Sequence, residues 1–110
     1  MKIYLASPYS HPDGKVRIDR FHAACKAAAK LIEQGHIVFS PVAHSHPIAD
    51  YLNNHNDGDY WLRQDLGFLD SWADEMWVLR IEGWKGSKGI EKEMEYAKRI
   101  GIEIRYIDEG

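Results

Sequence analysis

Two carboxylates stand where helices ordinarily carry apolar side chains. In the segment read as a helix from about Asp59 to Trp72, the apolar stripe is Trp61, Leu62, Phe68, Leu69 and Trp72. Asp65 falls inside that stripe, four residues after Trp61 and four before Leu69. In the last helical segment the stripe is Ile90, Met94, Ala97 and Gly101, and Glu93 lies at its edge, while Glu91 and Glu95 point elsewhere as solvated charges. Burying an ionised carboxylate without partners costs several kcal/mol. Either acid alone is most simply explained as a loop cap or as the partner of an arginine such as Arg63 or Arg99. Two of them beside an anion-binding loop point to chemistry at a sugar. One carboxylate attacks or stabilises the cationic sugar carbon and the other protonates the leaving group. An apolar setting raises the pKa of Asp65, which suits the proton donor.

The loop in question is Gly83-Trp84-Lys85-Gly86-Ser87-Lys88-Gly89, which runs straight into the helix bearing Glu93. Ser87 is a good N-cap residue, so the first backbone N–H groups of the helix are left free. Such a helix start attracts phosphate or a sugar hydroxyl. The loop is not a Walker loop, because the order Gly-x-x-x-x-Gly-Lys-Ser/Thr is absent. No Gly-x-Gly-x-x-Gly follows the first strand, which argues against a dinucleotide cofactor. Trp84 is placed either to stack on a base or to plug a pocket or interface.

These residues need a scaffold, and the apolar periodicity supplies one. Lys2 to Ala6 reads as a buried strand, followed by the loop Ser7 to Gly14. A helix from Lys15 to Gln34 carries Ile18, Phe21, Cys25, Ala28, Ala29 and Ile32 on one stripe and is stopped by Gly35. His36 to Phe39 is a second strand, ended by Ser40-Pro41. A loop from Val42 through His44-Ser45-His46-Pro47 continues as a polar stretch to about Asp59, with a helical turn near Ile48 to Leu52. That length suits a functional lid. The helix bearing Asp65 comes next, then a strand from Glu75 to Leu79, the helix from Ser87 to Ile100, and a last strand from Ile102 to Ile107. The alternation predicts one α/β domain over residues 1–110: a mostly parallel sheet of four or five strands with helices on both faces. Ligands of such folds bind beyond the carboxyl ends of the strands. Three loops meet there: Ser7 to Gly14, Ser40 to Pro47 and Arg80 to Ser87.

Composition excludes several classes of function. A net charge of −3 does not suit non-specific binding to a nucleic-acid polymer or a membrane, which favours a basic surface. The single cysteine, Cys25, allows no internal disulfide and points to a reducing compartment. The first residues turn polar too soon for a signal peptide, and no apolar run reaches a membrane span, so a cytoplasmic protein is expected. Four Trp, six Tyr and three Phe are mostly what a small domain needs to fill its core.

Taken together, Ile3-Tyr4-Leu5-Ala6-Ser7-Pro8-Tyr9-Ser10, His44-Ser45-His46-Pro47-Ile48, Asp65 and the run from Gly83 to Glu93 resemble the nucleoside 2-deoxyribosyltransferase superfamily, which includes deoxynucleoside monophosphate N-glycosidases. The likeness is closer still to a family of small uncharacterised relatives of similar length. Ser87-x-Gly89-x-x-x-Glu93 is similar to the superfamily's nucleophile motif. The resemblance implies a flavodoxin-like or Rossmann-like sheet and a double displacement. In it Glu93 attacks C1′ to form a glycosyl-enzyme, Tyr4 hydrogen-bonds and orients Glu93, and Asp65 protonates the departing base and then activates water or a second base. Ser87 and Gly89 would hold the 5′-hydroxyl or phosphate. Ser7, Pro8, Tyr9, His46 and Trp84 complete the expected binding set. The partner implied is a small nucleoside or nucleotide. No metal or organic cofactor is implied, and a homodimer or higher homo-oligomer is.

Two other functions fit parts of the sequence. One is a non-catalytic nucleotide sensor on the same fold. The other is a metal-dependent hydrolase using His44 and His46, but no clear third ligand of matching spacing accompanies them. No Gly-x-Ser-x-Gly elbow surrounds Ser7 or Ser10.

Overall fold

The computed structural model describes residues 1–52 and 58–109. Its elements run β1 (Lys2–Ala6), α1 (Gly14–Glu33), β2 (Ile37–Phe39), α2 (Pro41–Ala49), α3 (Gly58–Ser71), β3 (Glu75–Leu79), α4 (Lys88–Ile100) and β4 (Glu103–Ile107). The four strands form one parallel sheet in the order β2-β1-β3-β4. Tyr4 on β1 is in register with Phe39 on β2 and with Met76 on β3. The chain moves outward from β1 to β2, then returns past β1 to β3. The switch point therefore lies between β1 and β3, where loops leaving adjacent strands diverge and open a crevice.

Alternation along the strands separates two cores. Ile3 and Leu5 of β1 pack with Leu31 of α1 and Leu79 of β3 on one face. Tyr4 and Ala6 pack with Leu69 of α3, Met76 and Val78 of β3, and Ile90 and Ala97 of α4 on the other. A sheet buried on both faces uses apolar residues at successive positions, and β1 is buried from Ile3 to Ala6. The sheet is thus covered by helices on both sides, as the sequence pattern predicts.

Two readings need correction. Ser40-Pro41 does not close β2 into a loop; it opens α2. Ser40 is the N-cap, its Oγ accepting from the Ala43 N–H at 3.1 Å, and Pro41 occupies the first helical turn, where a missing N–H does no harm. The histidine segment is therefore helical, and the turn expected at Ile48 to Leu52 is the frayed tail of this helix, with Tyr51 N–H bonded to Ile48 O and Leu52 N–H to Ala49 O. The stripe of α1 is also displaced. Ile18 and Ile32 are about half exposed, at 47% and 54%, and Ala23, Ala24 and Leu31 are the buried positions. Small side chains let α1 approach the sheet closely, so the alanine face is the inner one although the isoleucines are more hydrophobic. The most polar part of the expected lid, Asn53 to Asp57, lies outside the described residues.

Candidate active site

The face of the sheet bearing Tyr4 receives both acids. Asp65 comes from α3 and Glu93 from α4, and each is buried, at 8% and 6% exposure. Glu93 owes its place to the start of α4. Ser87 caps the helix, its Oγ accepting from the Ile90 N–H at 3.2 Å, and the helix then carries Ile90, Glu93 and Ala97 inward while Glu91 stays exposed. Tyr4, wholly buried in the centre of the sheet, donates its hydroxyl hydrogen to Glu93 Oε2. Asp65 Oδ1 is buried without a hydrogen-bond partner among the described residues, as are Ser7 Oγ at the end of β1 and His44 Nδ1 and Ser45 Oγ on α2. Unpaired buried polar atoms cost free energy in the free protein and are repaid only by a bound molecule or water.

Burial dominates the electrostatics. It pushes Glu93 up to about 8; the Tyr4 hydrogen bond pulls the other way, and the charge of Asp65 adds to the rise. Burial alone pushes Asp65 up to about 7. Tyr4 is raised well above its ordinary value by burial, then by the charges of Glu93 and Asp65. Tyr4 therefore keeps its proton and serves as a fixed donor. The charge of Asp65 acts on Glu93, so the protonation of Glu93 depends on the state of Asp65.

The remaining expected site residues divide. Ser7 and Pro8 are buried at the carboxyl end of β1, in keeping with a position at the ligand edge. Tyr9 and His46 are engaged with each other: the Tyr9 hydroxyl lies 2.5 Å from His46 Nδ1, and the Phe21 ring stacks on the imidazole at a centroid distance of 4.2 Å. This trio ties the loop after β1 to α1 and α2. Trp84 packs on the α3/α4 side of the core, 5.7 Å from the Tyr106 ring, with Lys85 Nζ 5.8 Å from its centroid. Gly89 has no left-handed backbone, and a Cβ there would meet nothing nearer than Ser87 Oγ at 3.8 Å. Its lack of a side chain is thus not demanded by the fold and leaves the helix start open.

His44 and His46 lie two apart on α2, about 200° apart around a helix at 100° per residue, and so face different neighbours. His44 sits by Phe39, at 5.3 Å, and Phe68, at 6.4 Å, rather than with the Tyr9 cluster. Among the described residues no group of three His, Cys, Asp or Glu is placed to hold a metal ion.

Three residues emerge that the sequence pattern did not single out. Phe39 and Phe68 stack face to face at 3.9 Å and 14°, and Phe39 also touches the Tyr4 ring at 5.9 Å. They place an aromatic wall beside the acid pair. Arg20 of α1 donates from Nη1 to Ser10 O at 2.9 Å and lies against Gly83, where a Cβ would come within 2.3 Å of Nη2. Gly83 has φ +93°, a backbone conformation L side chains rarely adopt, and a Cβ there would also displace the Arg20 guanidinium. Arg20 thereby links the loops that follow β1 and β3. Helical periodicity assigns Arg20 no role, and only the approach of a loop distant in sequence reveals one.

The parallel sheet of order β2-β1-β3-β4 carries Tyr4, Asp65 and Glu93 buried on one face. The chain matches the solved structure of a 2-deoxyribosyltransferase from the psychrotolerant bacterium Bacillus psychrosaccharolyticus with a TM-score of 0.71. The match covers 98% of this chain and 72% of that one at 22% identity, a likeness of fold. The chain belongs to the family described as domain of unknown function DUF1937, whose model matches residues 1–109. No functionally curated protein matches it. Among the described residues no helix is long and apolar enough to cross a membrane.

Proposed function

We propose that this protein cleaves the N-glycosidic bond of a nucleoside or nucleotide, as a glycosidase or deoxyribosyltransferase, through a glycosyl-enzyme on Glu93. The observation that carries the reading is the buried Tyr4–Glu93 hydrogen bond beside a second buried acid, Asp65, that has an unpartnered oxygen. Glu93 attacks C1′ as the bond to the base breaks. Asp65 gives its proton to the departing base nitrogen and afterwards removes one from water or an incoming base. Burial raises both acids into the neutral range, so either can hold a proton in the free protein. Positive charge developing on the sugar carbon favours an ionised Glu93, and the Tyr4 hydroxyl stabilises that ion, so substrate binding moves the proton to Asp65. The free N–H groups at the start of α4 take the 5′-hydroxyl or phosphate. Phe39, Phe68 and His44 lie on the base side.

The test is base release. Purified protein incubated with a panel of nucleosides and nucleoside 5′-monophosphates should liberate free base, and Glu93→Ala should abolish it. Base release by Glu93→Ala at the parent rate removes Glu93 from the mechanism. Tight nucleotide binding with no turnover by the parent would instead favour a sensor.

A further inference from the structure

Two arginines on one face of α1 hold the loop that leaves β1. Arg17 donates from Nη1 to His11 O, and Arg20, one turn on, donates from Nη1 to Ser10 O at 2.9 Å. Arg20 also lies against Gly83, in the loop that leaves β3. The proposed reaction uses neither arginine.

Little else joins these two loops. Among the described residues no backbone hydrogen bond runs between them. A hollow of about 320 Å³ opens beside them, lined by Arg20 with His11 of the first loop and Ile81 and Glu82 of the second. Loops that face each other across open space do not set their spacing by packing, and here the arginine side chain spans the gap.

The contact depends on shape rather than charge. Arg20 makes no ion pair with a described residue, although Asp19, Glu82 and Glu109 line the same hollow. Its planar guanidinium needs a residue without a side chain beside it: a Cβ on Gly83 would stand 2.3 Å from Nη2 and 3.1 Å from Cζ. A lysine ammonium has no flat face to lay there. Around Gly83 the chain turns tightly, with Trp84 N–H on Ile81 O at 3.1 Å, and then reaches Ser87, the cap of α4. The first loop begins at Ser7, whose Oγ is buried without a partner among the described residues. Arg20 therefore joins the two strand ends that flank the switch point.

We propose that Arg20 is a positioning residue. Its guanidinium fixes the spacing of the two loops, and with it the distance from Ser7 to the start of α4, across which the sugar or its phosphate lies. The link itself stands on geometry; what it positions rests on the proposed reaction. Glu93 is held separately, because Ile90 and Ala97 anchor α4 in the core. Loss of the link weakens binding of the substrate's non-reacting end and leaves the chemical step nearly intact.

Hydrogen exchange followed by NMR tests the link without any substrate. Two amides report on it: Asp13 N–H, bonded to His11 Nδ1 at 3.0 Å in the first loop, and Trp84 N–H in the second. Arg20→Ala should speed both by about tenfold or more, and millimolar guanidinium, but not ammonium, should restore them. Arg20→Lys keeps a donor for Ser10 O and should still free Trp84. Arg17→Ala should speed Asp13 alone. Circular dichroism checks that each variant is folded. In base-release assays Arg20→Ala should raise KM by about tenfold or more, with kcat within about threefold of the parent. The proposal is overturned by a Trp84 amide that keeps its parent rate in Arg20→Ala, by Arg20→Lys matching the parent, or by kcat falling while KM holds. A parent that releases no base from any substrate removes the proposed reaction instead, and the exchange rates still decide whether Arg20 joins the loops.

Discussion

Replacing Glu93 by Gln should stabilise the protein at alkaline pH. Glu93 has its ordinary value of 4.5 in the unfolded chain and is pushed up to about 8 by burial in the fold. Between those values the folded protein holds more protons than the unfolded chain, so its stability falls as pH rises through the interval and levels off above it. At about 1.4 kcal/mol per pH unit, the loss attributable to Glu93 approaches 4–5 kcal/mol above pH 8, a large share of a domain's total stability. Glutamine keeps the shape and an oxygen that can accept from Tyr4, yet carries no charge. Urea unfolding of parent and Glu93→Gln should therefore give similar stabilities near pH 5 and a gain of at least about 2 kcal/mol for the variant at pH 8.5. The parent should lose stability between pH 6 and 8.5, and the variant should retain only the smaller slope due to Asp65, which is raised to about 7. A parent whose stability is flat or rises over that range, with the variant unchanged, would refute the burial of Glu93 as an unstable charge. The gain and the loss of activity should come together, because a group held in an unfavourable state is what the reaction uses.

Three further outcomes follow from the same geometry. Tyr4→Phe removes the donor to Glu93 Oε2, a hydrogen bond to a developing charge worth about 1.5–3 kcal/mol, so kcat should fall about tenfold to a hundredfold in steady-state assays, with the acid limb of the pH profile displaced upward. Base release by the parent should peak between pH 7 and 8, because both acids are protonated below and both ionised above. Asp65→Asn should lose the alkaline limb and be least impaired on substrates with good leaving groups. Gly83→Ala forces an L side chain into φ +93° against Arg20 and should lower the unfolding free energy from urea titration by about 1–2 kcal/mol; Arg20→Ala in the same chain should relieve the contact but not the backbone strain.

Much of this was legible in the residues. Alternation of apolar segments announced the parallel sheet, because strands covered on both faces must carry apolar residues in succession, as β1 does from Ile3 to Ala6. Helical periodicity placed Asp65 and Glu93 on inward faces, since an acid at a stripe position has few other places to go. Ser87 marked the start of α4 to the residue. Other features depended on context that periodicity does not carry. Pro41 reads equally as the end of a strand or the first turn of a helix, and the Ser40 cap decides it. Tyr9 and His46 share an edge of the sheet with the acids but bond to each other. The Phe39–Phe68 stack joins a strand to a helix across an intervening helix, and no local pattern encodes it. The contact of Arg20 with Gly83 likewise spans most of the chain.

The central claim is a sugar covalently held by Glu93, and mass spectrometry of the protein quenched during turnover, or after incubation with a slowly hydrolysed 2′-fluorinated nucleoside or its 5′-monophosphate, addresses it most directly. The account predicts a mass gain of one pentosyl or phosphopentosyl unit, mapped to the peptide containing Glu93 and absent from Glu93→Gln. Base release by a parent that forms no adduct with any probe, or an adduct on a peptide lacking Glu93, would contradict it.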